Sequence, residues 1–303
     1  MLIKHVLFSQ TKNGNREDVR SMHKTMKING VTLHIEDQGE GPAIVTLHGG
    51  PGLGSRRGDA AVFGAFTADG YRVISYDQRG NGESEGAEPY SHEQFNADTE
   101  ALRSELGLGK IVIAGGSYGG YLALEYALKY PQNVAGIILR DTAASNAYRY
   151  TAHERAMKSG LPGITQEMLD RLFNGQAKDN DDFRAMYSAI LPLYWVKFTQ
   201  TDLDNHLNSI IFRYETHNWA FSRNQPHFNI VDRLKTIQAP TLVLCGRHDW
   251  ITPLEASEEI AREIPNSRLV VFDHSGHSPQ NEEREKFQSE VRKFLREVVP
   301  TYQ

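Results

Sequence analysis

Three residue types can split an acyl bond when they meet: a serine to attack, a histidine to take its proton, and a carboxylate to orient the histidine. The pentapeptide Gly115-Gly116-Ser117-Tyr118-Gly119 follows the pattern G-x-S-x-G. It places a serine on a sharp strand-to-helix turn, where bulkier neighbours would clash. A serine hydroxyl is a weak nucleophile until a base removes its proton. The chain has 12 histidines, so position must select one. His277 is the candidate base, because it closes Asp273-His274-Ser275-Gly276-His277 directly after the last apolar run. His274 is its rival. A nucleophile on such a turn takes its partners in the order serine, acid, histidine. Asp249 follows the run Thr241 to Cys245 and leaves room for one helix and one strand before His277. Asp141, at the end of an earlier run, is the alternative acid. The oxyanion that forms during acyl transfer needs at least two donors. The backbone N–H of Tyr118 is one. The other is expected from His48-Gly49-Gly50-Pro51-Gly52, with Gly50 the choice and His48 bracing the loop. No segment matches the phosphate-cradling pattern G-x-x-x-x-G-K-[ST].

Those residues can meet only if the elements carrying them end at one edge. Ala43 to Leu47, Tyr71 to Tyr76, Ile111 to Ala114, Val134 to Leu139, Thr241 to Cys245 and Leu269 to Phe272 are apolar runs that break into glycine, aspartate or serine. Runs of this kind read as strands buried on both faces, as in a parallel sheet. Helical patterns lie at Asn96 to Leu106, Tyr121 to Tyr130, Leu254 to Ile264 and Glu283 to Val298; prolines 131 and 265 stop two of them. Alternating strands and helices predict βαβ units and an α/β fold with a mostly parallel sheet flanked by helices. Residues 25–37, with Gly30 at the turn, predict an antiparallel hairpin. Residues 145–232 break the rhythm. They are rich in aromatics and helix-like patterns without a buried strand, and they read as an inserted helical cap. The expected division is therefore an N-terminal extension (1–24), a core (25–144 and 233–303) and the cap (145–232).

Composition narrows the partners. The net charge of -5 gives no reason to expect nucleic acid, whose phosphates call for a basic face. No stretch approaches the roughly 20 apolar residues of a membrane span, and the N-terminal apolar run is too short for a secretory signal. Cys245 is the single cysteine, which rules out an intrachain disulfide; it reads as a small core residue, and a cytoplasmic location is the expectation. The chemistry requires no metal or organic cofactor, and the expected partner is a small molecule or short peptide. Oligomeric state is not legible.

The segments His48-Gly49-Gly50-Pro51-Gly52, Asp77-Gln78-Arg79-Gly80-Asn81-Gly82, Gly115-Gly116-Ser117-Tyr118-Gly119-Gly120 and Gly276-His277-Ser278 resemble the proline iminopeptidase branch of the α/β-hydrolase superfamily. The resemblance covers roughly residues 25–144 and 233–299. It implies a helical cap over the site, an oxyanion hole from Gly50 and Tyr118, and a structural role for Asp77 and Arg79. It also implies release of N-terminal proline or another amino acid, in a branch that includes amidases, esterases and lactonases. In its aminopeptidases, acidic cap residues hold the substrate amine, as a buried ammonium requires. Glu154, Glu167, Asp202, Asp204 and Glu215 are the cap's offers, with Glu215 the leading one because aromatic residues surround it. The stretch Asn218 to Ile230 contains no carboxylate and carries Arg223, so a carboxylesterase or lactonase acting on an uncharged ester is the alternative. Trp195, Trp219, Phe221 and Trp250 are candidates for an apolar substrate pocket. A non-catalytic ligand-binding member of the fold is the remote reading. A dehalogenase or an epoxide hydrolase would need aspartate in place of Ser117.

Overall fold

The computed structural model describes residues 21–301. Eight strands form one sheet: β1 (Ser21–Ile28), β2 (Val31–Gln38), β3 (Ala43–Leu47), β4 (Arg72–Tyr76), β5 (Ile111–Gly116), β6 (Val134–Arg140), β7 (Thr241–Gly246) and β8 (Ser267–Phe272). Their spatial order is β1-β2-β4-β3-β5-β6-β7-β8. The β1–β2 and β2–β4 pairs are antiparallel and the remaining five are parallel. The order reverses between β3 and β5, which leaves a crevice at their carboxyl ends.

Burial follows position in the sheet. β3, β5 and β7 are buried along their whole length, as strands covered on both faces must be. β2 alternates instead, with Val31, Leu33 and Ile35 inward, because only one of its faces is covered. β8 departs from the reading of a strand buried on both faces. Only Phe272 is fully buried along it, since it is the last strand of the sheet. β1 begins at Ser21, inside the segment read as an extension; the rest of that segment lies outside the described residues.

The helices are α1 (Arg56–Phe63), α2 (His92–Glu105), α3 (Tyr118–Lys129), α4 (Arg149–Lys158), α5 (Gln166–Phe173), α6 (Asn180–Ile190), α7 (Gln200–Ser209), α8 (Tyr214–Trp219), α9 (Val231–Leu234), α10 (Leu254–Glu263), α11 (Pro279–Glu282) and α12 (Arg284–Val298). One apolar layer packs Phe95 and Leu102 of α2, Leu122 and Tyr126 of α3, and Ile260 of α10 against one sheet face. The opposite layer packs Phe63 of α1 and Phe287, Val291, Phe294 and Leu295 of α12 against the other. Burying each such side chain stabilises the fold by about 1.5–3 kcal/mol. Helices α4 to α9 all fall between β6 and β7, and those from α4 to α7, with Phe212 of the loop after α7, carry a separate apolar cluster that includes Phe173 and Phe183. Among the described residues no helix is long and apolar enough to cross a membrane.

Candidate active site

Ser117 joins β5 to α3 with φ 52 and ψ −122. A serine rarely takes such a conformation, and it persists only where its surroundings enforce it. Here glycines permit the enforcement. A Cβ on Gly119 would lie 1.9 Å from the Leu47 carbonyl oxygen, and one on Gly115 would lie 2.2 Å from that of Gly119. The Ser117 N–H donates to the Arg140 carbonyl at 2.9 Å, and Thr142 Oγ1 donates to the Ser117 carbonyl at 2.7 Å. Among the described residues Ser117 Oγ has no hydrogen-bond partner, and it borders a cavity of about 480 Å³.

His277 reaches the same cavity from the loop after β8. Its backbone N–H donates to the Tyr194 carbonyl at 2.8 Å, and the Tyr194 ring meets the imidazole edge-on at 5.2 Å. Nδ1 donates to Asp249 Oδ2 at 2.8 Å, which leaves Nε2 as the nitrogen able to accept a proton. Asp249 is 1% exposed and is itself held. Oδ1 accepts the N–H groups of Ile251 (2.9 Å) and Thr252 (3.2 Å), and Oδ2 accepts the Thr252 hydroxyl at 2.7 Å. Burial opposes protonation of His277. The Asp249 charge and its hydrogen bond outweigh burial, so the imidazole titrates above its ordinary value near 6.5.

Gly50 and Tyr118 border the cavity beside Ser117. Tyr118 opens α3, where helix geometry leaves the first N–H groups without an intrahelical acceptor. Its hydroxyl is fixed by His92 Nε2 and Asn224 Nδ2, both at 2.8 Å. His48 accepts the Gln78 N–H on Nε2 at 3.1 Å, which ties the Gly50 loop to the turn after β4. In that turn Asp77 accepts the backbone N–H groups of Arg56 and Glu83, and Arg79 pairs with Asp98 at 2.6 Å.

Trp195 and Phe221 line the cavity, with Phe173, Tyr187 and Tyr194. Three other expected pocket residues do not. Glu215 sits in the first turn of α8 and is exposed, because that helix turns Thr216 and His217 inward; Thr216 bonds to the Gly80 carbonyl and His217 to that of Leu172. Trp219 packs edge-on against Tyr90 beneath the Arg223 guanidinium. Trp250 is 5% exposed and wedged against Phe173 and Tyr194 behind the wall. His274 is exposed and its backbone bonds to Glu283. The carboxylates on the wall, among the described residues, are Asp59 and Asp141; Asp59 faces Arg140 at 3.4 Å. Thr252 and Tyr194 were not singled out from sequence. The spacing Asp249-x-x-Thr252 carries a usable signal, since an aspartate often accepts from groups two and three residues on. Nothing local marks Tyr194, whose partner is distant in the chain.

Comparison with known proteins bears on the family and the fold. Residues 42–283 match the family described as alpha/beta hydrolase fold. A proline iminopeptidase of Pestalotiopsis fici is 35% identical over 285 residues, covering 90% of this chain and 99% of the relative. A 2-hydroxy-6-oxononadienedioate/2-hydroxy-6-oxononatrienedioate hydrolase of Pseudomonas putida is 31% identical, covering 87% of this chain and 91% of that one. Among solved structures, an esterase of Exiguobacterium antarcticum superposes with a TM-score of 0.76 at 24% identity, covering 90% of this chain and 99% of its own; that likeness is one of fold. With the family match spanning most of its length, the chain belongs to the alpha/beta hydrolase fold family.

Proposed function

We propose that this protein is a serine hydrolase that releases an acid from an amide or ester through an acyl-enzyme. The observation that carries the reading is the 2.8 Å bond from His277 Nδ1 to Asp249, on the cavity that holds Ser117 in its left-handed turn. Ser117 Oγ attacks the substrate carbonyl while His277 Nε2 takes its proton. The N–H groups of Gly50 and Tyr118 bind the oxyanion, and Asp249 stabilises the imidazolium. His277 then protonates the leaving group. A water, deprotonated in turn by His277, frees the acid. The helical insertion acts as a cap that keeps bulk water from the acyl-enzyme.

The relatives support an aminopeptidase that frees N-terminal proline or another residue. The cavity wall favours a second reading, an ester or amide of an uncharged acid. A buried ammonium needs a paired carboxylate, yet Glu215 faces solvent, Asp59 is opposite Arg140, and Asp141 is only 1% exposed with one oxygen held by the Gly246 N–H. The test compares kcat/KM on a prolyl arylamide, its N-acylated form and a short-chain p-nitrophenyl ester, with Ser117→Ala as the blank. Preference for the free prolyl amine supports the aminopeptidase. Turnover of the ester alone supports the second reading. Wild-type rates in Ser117→Ala would sink both.

A further inference from the structure

Behind the triad lies a carboxyl group to which the reaction above gives no task. Asp141 directly follows β6 with φ 47, a left-handed conformation that aspartate adopts more readily than most residues. Its backbone N–H donates to the Leu244 carbonyl, and its Oδ1 accepts the Gly246 N–H at 2.8 Å, so both ends are tied to β7. The other oxygen, Oδ2, is buried without a hydrogen-bond partner. Oxygens of Asp141 and Asp249 and the sulfur of Cys245 lie within 4.8 Å of one another, and all three residues are buried.

Two carboxylates so close, each 1% exposed, do not both ionise. The donors decide which one carries the charge. Asp249 accepts four hydrogen bonds, from Ile251, Thr252 (twice) and His277. Asp141 accepts one. The ionisable groups that face Asp141 are Asp249, His277 and Arg140, with the Cys245 thiol beside it. Burial, and then the Asp249 charge, push Asp141 up to about 8, against the pull of His277, the Gly246 N–H and Arg140.

We propose that Asp141 is a reserve acid of the triad: it shares one negative charge with Asp249 behind His277, holds the proton while Asp249 holds the charge, and takes the charge over when Asp249 is lost. Asp141 touches no substrate in this scheme and acts through His277, so it is a positioning residue. The inference rests on the serine-hydrolase reading. When Asp141 ionises, its proton leaves to solvent, and the added charge makes His277 more basic. The two groups therefore titrate as a pair.

The experiment measures kcat/KM against pH on an activated ester for wild type, Asp141→Asn, Asp249→Asn and the double variant. Asparagine keeps an oxygen for the Gly246 N–H. The double variant should lose about 10⁴-fold, the order of loss known when a triad aspartate becomes asparagine. Asp249→Asn alone should lose at least about tenfold less, because Asp141 freed of its neighbour ionises in its place. The wild-type profile should show an alkaline inflection that Asp141→Asn lacks. Equal losses in Asp249→Asn and the double variant overturn the proposal. NMR titration of the His277 imidazole in wild type guards against variants that misfold. Two coupled steps support the pair, and a single step overturns it. Labelling of Ser117 by an organophosphonate separates the two levels: an unlabelled wild-type serine defeats the hydrolase reading, whereas labelling with a single His277 step defeats the reserve acid alone.

Discussion

Thr252 does for Asp249 what Asp249 does for His277. Its hydroxyl and its backbone N–H both donate to the carboxylate, and the hydroxyl oxygen lies 3.4 Å from His277 Nδ1. A hydrogen bond to a charged group is worth about 1.5–3 kcal/mol. Thr252→Val removes the hydroxyl donor while keeping the shape. It should lower kcat by about tenfold or more and leave KM within about twofold, because the lost bond steadies the imidazolium of the transition state rather than bound substrate. A change confined to KM in steady-state kinetics would refute this role. His277 carries a second consequence. It must be neutral to accept the serine proton, and the Asp249 charge and hydrogen bond hold it protonated to higher pH than an ordinary histidine. The acid limb of kcat/KM should therefore fall above pH 6.5, and a limb below that value would contradict the charge arrangement described. The serine, histidine and acid positions were legible from sequence because each ends an apolar run. Thr252 was legible in principle. Glu215 misled because aromatic neighbours in sequence say nothing about which side of a one-and-a-half-turn helix faces the cavity.

Glycines mark the elements whose approach builds the site, and two of them make a contrast. Gly119 lies in the first turn of α3 against the end of β3, where a Cβ would meet the Leu47 carbonyl oxygen at 1.9 Å. Gly119→Ala must push α3 from the sheet and should destabilise the protein by several kcal/mol, of the order of a severe core overpacking. Gly58 lies in α1, exposed, and a Cβ there meets nothing within 4 Å. Gly58→Ala should instead stabilise by about 0.4–1 kcal/mol, because it restricts the unfolded chain at no steric cost. Denaturant midpoints decide the pair, and a loss from Gly58→Ala would show that α1 needs the glycine for another reason. The central strands were legible because full burial writes itself as continuous apolar runs. The edge strand β8 read the same way, since sequence does not say which strand comes last. Helix α1 went unread. Arg56, Arg57 and Asp59 hide its apolar stripe, and Arg56 is buried among the carboxylates of Asp77, Glu83 and Glu36, which neutralise it.

At the scale of the whole molecule, insertion and core meet through the site itself. The insertion supplies the Tyr194 carbonyl to His277, Arg155 to the Asp249 carbonyl, Asn224 to the Tyr118 hydroxyl and the Arg213 N–H to Gly52. Sequence could mark where the strand rhythm breaks but not these bonds, whose partners lie far apart in the chain. The carboxyl pair of Asp141 and Asp249 is buried, each residue 1% exposed, and that burial has a thermodynamic signature. Asp141 titrates at about 8 in the folded protein and near its ordinary value of 3.8 when unfolded. Between those values the folded state binds a proton that the unfolded state has lost. Its contribution to stability is therefore fully present below pH 3.8, declines as pH rises, and is spent by about pH 8. His277, also raised, runs in the same direction, while the depressed carboxyls of Asp37 and Glu83 and the neutral His217, pushed down to about 4, oppose it at acid pH. The net curve of wild type thus mixes several groups, but the difference between wild type and Asp141→Asn isolates one. Asparagine never ionises, so the variant escapes the cost that wild type meets above pH 4. Its stability relative to wild type should grow from pH 4.5 through pH 6 to a plateau near pH 8, as read from denaturant midpoints at each pH. A difference that stays constant across that window would mean that Asp141 titrates alike folded and unfolded, and that water reaches the pair after all.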